Sequence, residues 1–184
     1  MTEVRETLDI AANRRARKWS RRALAGRLAW ETVGVLLFRI APRPFWAWRR
    51  GVLRLFGARI GRAVHIHPTV RITIPWTLTV GDEVGIGDRV VLYSLGPITI
   101  GARATISQHV HLCAGSHDFR RPDMPLLKPP IAVGEEAWLC ADAFIGPGVT
   151  VGRGAVVGAR AVVVRDVAER TVVAGNPARP IGVR

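Results

Sequence analysis

The side chains of this 184-residue protein best suited to proton transfer or metal ligation are its five histidines. His65 and His67 form one HxH pair, and His109 and His111 form another, with His117 six residues further on. An imidazole titrates near neutral pH, so the neutral ring can take a proton from a hydroxyl or ligate a metal. His117 stands beside Asp118 in the stretch HLCAGSHDF, and a proline-rich segment, DFRRPDMPLLKPP, begins at once. From position alone, a solvated loop histidine is a simpler reading than a general base. A metal reading also has physical content, because HxH on a flat strand puts both rings on one face. Against it, alternating residues on a short edge point outward as often as inward. Cys113 and Cys140 lie 27 residues apart and make no CxxC. They read as reduced core thiols of a cytosolic protein, not as a disulfide framework.

A repeat must position these residues. From Val133 an aliphatic residue recurs every six positions, at Val133, Leu139, Ile145, Val151, Val157 and Val163, and glycine follows four of the six. The same spacing runs through Ile60, Ile66, Ile72 and Leu78, then Val80, Ile86, Leu92 and Ile98, then Ile100, Ile106 and Leu112, each new run offset by two residues. A helical or plain strand period explains neither the six nor the glycines. A solenoid explains both. Each hexad is a short strand plus a corner, its aliphatic side chain points inward, and glycine or another small residue takes the corner. Three edges close a triangular coil of about 18 residues, and stacked coils bury an apolar column. Four prolines between His117 and Ile131 break the frame and predict an excursion from the coil over residues 118–130. Excursions from a rigid scaffold are where function gathers.

The formal net charge of +13 is unevenly placed: residues 1–62 carry 15 Lys/Arg against 4 Asp/Glu, and the remainder 12 against 10. Residues 1–59 read as a basic helical segment and residues 60–184 as the solenoid domain, with a C-terminal tail from about residue 169. The first 19 residues are expected to be frayed or disordered. Leu24, Leu28, Val35 and Leu36 predict an amphipathic helix stopped near Pro42 and Pro44, with a shorter one from Phe45 to Phe56. The opening residues lack the apolar core of a secretory signal. The longest apolar run, Thr32 to Phe38, falls far short of the roughly 20 residues that span a bilayer, so no transmembrane helix is expected. Two roles for the segment stay open. It could cap the first coil, whose edge would otherwise be unpaired, or attach to an anionic membrane surface through Trp46, Trp48 and its arginines. Nucleic-acid binding is not expected, since no recognised module is present.

Three stretches carry a family resemblance: GSHD with the loop and IAVGEEAWLCADAFIGPGVTVG; the run from Val156 to Gly182 that contains GNPAR; and PRPFWAWRRGVLRLFGARIG before the repeat. With the repeat, which covers roughly residues 60–168, they resemble the hexapeptide-repeat acyltransferases. ISQHVHLCAGSHDF and the segment before the coil are similar to one subgroup, the colanic acid biosynthesis acetyltransferases, and that likeness extends over roughly residues 20–182. The resemblance implies an all-β solenoid wound as a left-handed parallel β-helix, a hand that spacing alone does not give. It implies acetyl-CoA as acyl donor, no metal, and a homotrimer with each active site between two subunits. The expected reaction is acetyl transfer to a hydroxyl of a sugar or glycolipid acceptor in surface-polysaccharide assembly, in the cytoplasm at the inner membrane face. It implies His117 as general base, and Tyr93, Ser94, Asp118 and Trp138 as acceptor-binding residues. Ala141, Gly158 and Ala159 would line the pantetheine arm, and Arg160, Arg165 and Arg179 would meet the CoA phosphates. Ser94 departs from the family, which commonly has Asn in the segment reading VVLYSLGPITIG here; a hydroxyl reaches less far than an amide. Two rivals remain. One is a metal-dependent enzyme like the carbonic anhydrases of the same solenoid, although their paired histidines sit five residues apart and His111 and His117 sit six apart. The other is a non-catalytic membrane-associated scaffold.

Overall fold

The computed structural model describes residues 7–184. From Arg59 to Val163, strands of two or three residues alternate with corners, and most edges turn one aliphatic side chain inward; Thr171–Gly175 and Ala178–Val183 then close the chain as an antiparallel pair. The strands stack in parallel on three faces. On the first face Ile60, Val80, Ile100, Val133 and Val151 are in register. On the second, Ile66, Ile86, Ile106, Leu139, Val157 and Val173 are in register. On the third, Ile72, Leu92, Leu112, Ile145 and Val163 are in register. These columns fuse into one buried core. Partners are 20 residues apart in the early coils, as in Arg59 with Thr79, 18 apart beyond the loop, as in Ala132 with Thr150, and 16 apart at the last coil, as in Val157 with Val173. The extra residues sit at the corner after the third face, where Pro75–Thr77 forms a 3-10 turn. The two-residue offsets in the sequence are these longer corners, so the 18-residue coil holds only after residue 130.

The corners correct a second expectation. Their left-handed positions are filled mostly by charged and polar residues, with glycine at Gly148 and Gly154: Glu83, Arg103 and Glu136 stand on one corner, and Arg89, His109, Asp142 and Arg160 on another, with φ between 52° and 61°. A residue with Cβ is disfavoured there by about 1–2 kcal/mol. Each gains an inter-coil bond in return: Glu136 N donates to Ala102 O at 2.9 Å, and Arg160 N to Ala141 O at 2.9 Å. Glycine follows the aliphatic residue for a different reason, the closeness of the next coil. A Cβ on Gly134 would lie 2.5 Å from Arg153 N, which is backbone and cannot swing aside. Gly134→Ala is therefore expected to cost about 1–3 kcal/mol, read as a lower urea midpoint with an unchanged slope.

The N-terminal helices close the other end of the stack. They are α1 (Ile10–Arg15), α2 (Arg21–Ala29), α3 (Val35–Ile40) and α4 (Trp46–Leu55), with a π-helical turn, Trp30–Gly34, joining α2 to α3. In each later coil, carbonyls accept N–H groups from the coil before: Gly61 N donates to Val80 O, His65 N to Val84 O, His67 N to Ile86 O and Thr73 N to Leu92 O. The first coil has no predecessor, and side chains take its place. Arg54 Nε donates to Ile60 O at 3.0 Å, Arg50 Nη1 to Val64 O at 3.0 Å, Arg49 Nε to Ile66 O at 2.7 Å and Trp30 Nε1 to Ile72 O at 2.7 Å. These are the four carbonyls equivalent to Val80, Val84, Ile86 and Leu92, so part of the segment's basic character serves the unpaired edge. Residues 7–19 are not frayed. Asp9 caps α1 by accepting from Ala12 N at 2.8 Å, and its own N–H donates to Pro122 O at 2.8 Å, docking the segment on the excursion. Residues 1–6, part of the stretch expected to be disordered, lie outside the described residues.

Candidate active site

His117 lies where the chain leaves the solenoid. The strand His111–Cys113 runs along the third face, and Ser116–His117 then pairs antiparallel with Leu126–Leu127, opening a hairpin. The hairpin orients the imidazole: His117 Nδ1 lies 2.7 Å from Met124 O. A carbonyl only accepts, so Nδ1 carries a proton, and in the neutral ring the lone pair is on Nε2. Asp118 does not supply this contact. Its carboxylate accepts Arg120 N at 3.1 Å and its own N–H donates to Pro125 O, so it shapes the hairpin turn.

Tyr93 flanks the same stretch. A Cβ on Gly115 would meet Tyr93 Cε1 at 2.9 Å and Leu95 Cδ1 at 3.0 Å, so the glycine lets the ring lie against the chain two residues before His117. His111 packs edge-on against Tyr93 and Phe144, at centroid separations of 6.4 and 5.4 Å. Its Nε2 is buried without a hydrogen-bond partner among the described residues, and burial lowers its pKa. His111 is therefore a neutral aromatic wall. His109 occupies an exposed corner, and among the described residues no three His, Cys, Asp or Glu side chains converge as a ligand set. Burial also raises the thiol pKa of Cys113 and of Cys140, which keeps both protonated at neutral pH.

Ser94 is buried, and its hydroxyl donates to Ile74 O and accepts from Ile74 N, both at 2.9 Å. It braces the long corner and has no donor left for a ligand. Trp138 is 46% exposed on the second face, its Nε1 donating to Ser107 Oγ at 3.0 Å, and so stands on a different face from His117. Gly158 is held close to Ala174 and Val173 O of the next coil, with Ala159 exposed beside it. The Ala141 carbonyl is taken by Arg160 N. Arg165 and Arg179, by contrast, come together across a concavity of about 600 Å³ with Asp166, Ala168 and Thr171. Arg160 sits apart from them on its corner, 4.0 Å from Asp142. A second concavity, of about 880 Å³, brings Arg39, Arg71, Arg89, His109 and His111 together with Asp142. Nothing local in the sequence groups residues so far apart; the stacking of coils, with Arg39 of α3 beside it, does so.

The chain is 48% identical over 149 residues to the Escherichia coli K12 protein named as the colanic acid biosynthesis acetyltransferase WcaF, an alignment covering 81% of this chain and 82% of that one. It is 26% identical over 136 residues to the galactoside O-acetyltransferase of Escherichia coli K12, covering 72% and 67%. The fold superposes on the hexapeptide-repeat-containing acetyltransferase VCA0836 of Vibrio cholerae, solved with acetyl coenzyme A, at a TM-score of 0.83 and 27% identity, over 100% of this chain and 98% of that one. No family model matches the sequence.

Proposed function

The chain belongs to the hexapeptide-repeat acetyltransferases, with their left-handed β-helix, and from that premise we propose that it transfers an acetyl group from acetyl-CoA to a sugar hydroxyl in surface-polysaccharide assembly, with His117 as general base. The observation that carries the reading is the Nδ1–Met124 O contact of 2.7 Å, which leaves Nε2 free to accept a proton. Acetyl-CoA supplies the acetyl group as a thioester. As the acceptor oxygen bonds the acetyl carbon and the carbon–sulfur bond breaks, His117 Nε2 takes the hydroxyl proton and returns it to the departing sulfur. Neither cysteine is poised to form an acyl-enzyme, which favours direct transfer.

Arg165 and Arg179, converging on one concavity, suit the CoA phosphates. The basic concavity along the third face suits an acceptor that carries its sugar on phosphate. Tyr93 and Trp138 would contribute to acceptor binding, and Ala141, Gly158 and Ala159 to the pantetheine path. Trp138 stands on another face from His117 within one chain, which favours a homotrimer whose sites lie between subunits. We place the enzyme in the cytoplasm. No described helix is long and apolar enough to cross a membrane. Peripheral contact with an anionic membrane would draw on Leu24, Leu28, Leu36 and Ile40, which are exposed on α2 and α3, since Arg49, Arg50 and Arg54 are spent on coil carbonyls.

The test is CoA release from acetyl-CoA on a panel of nucleotide-linked and lipid-linked sugars, with the acetylated product treated with hydroxylamine. A hydroxylamine-labile ester is expected. CoA release with no acceptor dependence, or a resistant amide product, would overturn O-transfer.

A further inference from the structure

We propose that Asn13, from the N-terminal segment, is a positioning residue for the reaction: it holds the backbone carbonyl that fixes the His117 ring. The inference rests on the reading of His117 as base. Asn13 Nδ2 donates to Asp123 O at 2.7 Å and to Met124 O at 2.5 Å, across 110 and 111 residues of chain. The amide has two hydrogens, and each has a carbonyl. Lys18 Nζ donates to Asn13 Oδ1 at 2.6 Å, which fixes the way the amide faces. Met124 O thus accepts twice, from Asn13 and from His117 Nδ1, one bond for each lone pair.

The carbonyl needs that tie. Met124 has φ +40°, in the left-handed region that a residue with Cβ disfavours. From the solenoid side, the hairpin is held by the short pair of Ser116–His117 with Leu126–Leu127 and by Asp118 N to Pro125 O. From the outer side, the N-terminal segment holds it at four further points. Asp9 N bonds Pro122 O at 2.8 Å, Asn13 makes its two bonds, and Lys128 Nζ bonds Lys18 O at 3.0 Å while lying 3.4 Å from the centre of the Trp19 ring. The orientation of His117 is therefore set jointly by the solenoid and by a segment distant in sequence. Without Asn13, the peptide at Met124 can rotate away from its left-handed conformation, and Nδ1 loses the acceptor that selects its tautomer.

Asn13→Asp is the sharpest variant, because it keeps the size and the Lys18 partner but offers the two carbonyls no donor. Its kcat is expected to fall about ten- to a hundredfold, with KM for acetyl-CoA changed less than about twofold. The ring 15N–1H correlation spectrum of neutral His117, assigned by its disappearance in His117→Gln, is expected to lose the Nδ1–H signature. Circular dichroism and thermal melting confirm folding, and should Asn13→Asp not fold, Lys18→Met, which frees the amide to turn, gives the same two readouts. Unchanged kcat or an unchanged ring signature in the folded variant overturns the proposal. His117→Gln separates the two readings. Full activity there removes the base itself, whereas an inactive His117→Gln beside a wild-type-like Asn13→Asp removes only the role of Asn13.

Discussion

Replacing His117 by glutamine is expected to lower kcat by about 10²- to 10⁴-fold, the usual worth of a positioned general base, with little change in KM for acetyl-CoA. Glutamine keeps the polarity of the site but cannot accept the proton at neutral pH. The hairpin should survive, since Ser116–His117 and Leu126–Leu127 pair through backbone. Steady-state CoA release with a responsive acceptor is the measurement, alongside a melting curve to show that the fold is intact. A variant with wild-type kcat would mean that Nε2 is not the proton acceptor. Loss of activity together with loss of folding would be settled by kcat per folded molecule, taken from the melt.

Arg49→Leu is expected to cost about 3–5 kcal/mol of stability, a drop in melting temperature on the order of 10 °C. The side chain is fully buried beneath α4. It meets Ile66 O at 2.7 Å, Ala41 O and Pro42 O at 3.1 Å each, and Arg43 O, and its guanidinium lies 4.8 Å from the centre of the Trp46 ring. Burial lowers its pKa, and no carboxylate lies within ion-pairing distance among the described residues. Backbone carbonyls and the face of the Trp46 ring therefore offset the cost of desolvating the charge. Leucine fills the volume and leaves the carbonyls without donors. Arg49→Lys keeps the charge but not the fork, and should fall between the two. A melting temperature within about 2 °C of wild type for Arg49→Leu would show that water reaches these carbonyls and that the capping bonds contribute little.

The solenoid was legible because its core repeats. Ile66, Ile86, Ile106, Leu139, Val157 and Val173 form one column, and all but Val173 lie on the spacing of six in the sequence. The place of His117, where the repeat ends, was legible for the same reason. Other features depend on which chain segments meet. Ser94 sits two residues past an inward Leu92, yet its hydroxyl turns back to Ile74 because the corner there is long. The charged left-handed corners were hidden because their favourable term, a bond to the preceding coil, lies outside the hexad. Arg49, Arg50 and Arg54 look like any basic stretch until the carbonyls of the first coil are seen beneath them. Asn13 and Met124 share no local pattern, and a polar N-terminal segment by itself predicts fraying.

A coil of this solenoid is a template for the next, and the first coil would offer its row of acceptors to any strand that arrived. Stacking of that kind is head-to-tail and has no natural stopping point, so an uncovered end would seed open filaments rather than a closed particle. The side chains of Arg49, Arg50, Arg54 and Trp30 occupy that row with groups that cannot propagate it. They thereby set a length as well as a stability: polymerisation is terminated at one end by chemistry written in the chain itself.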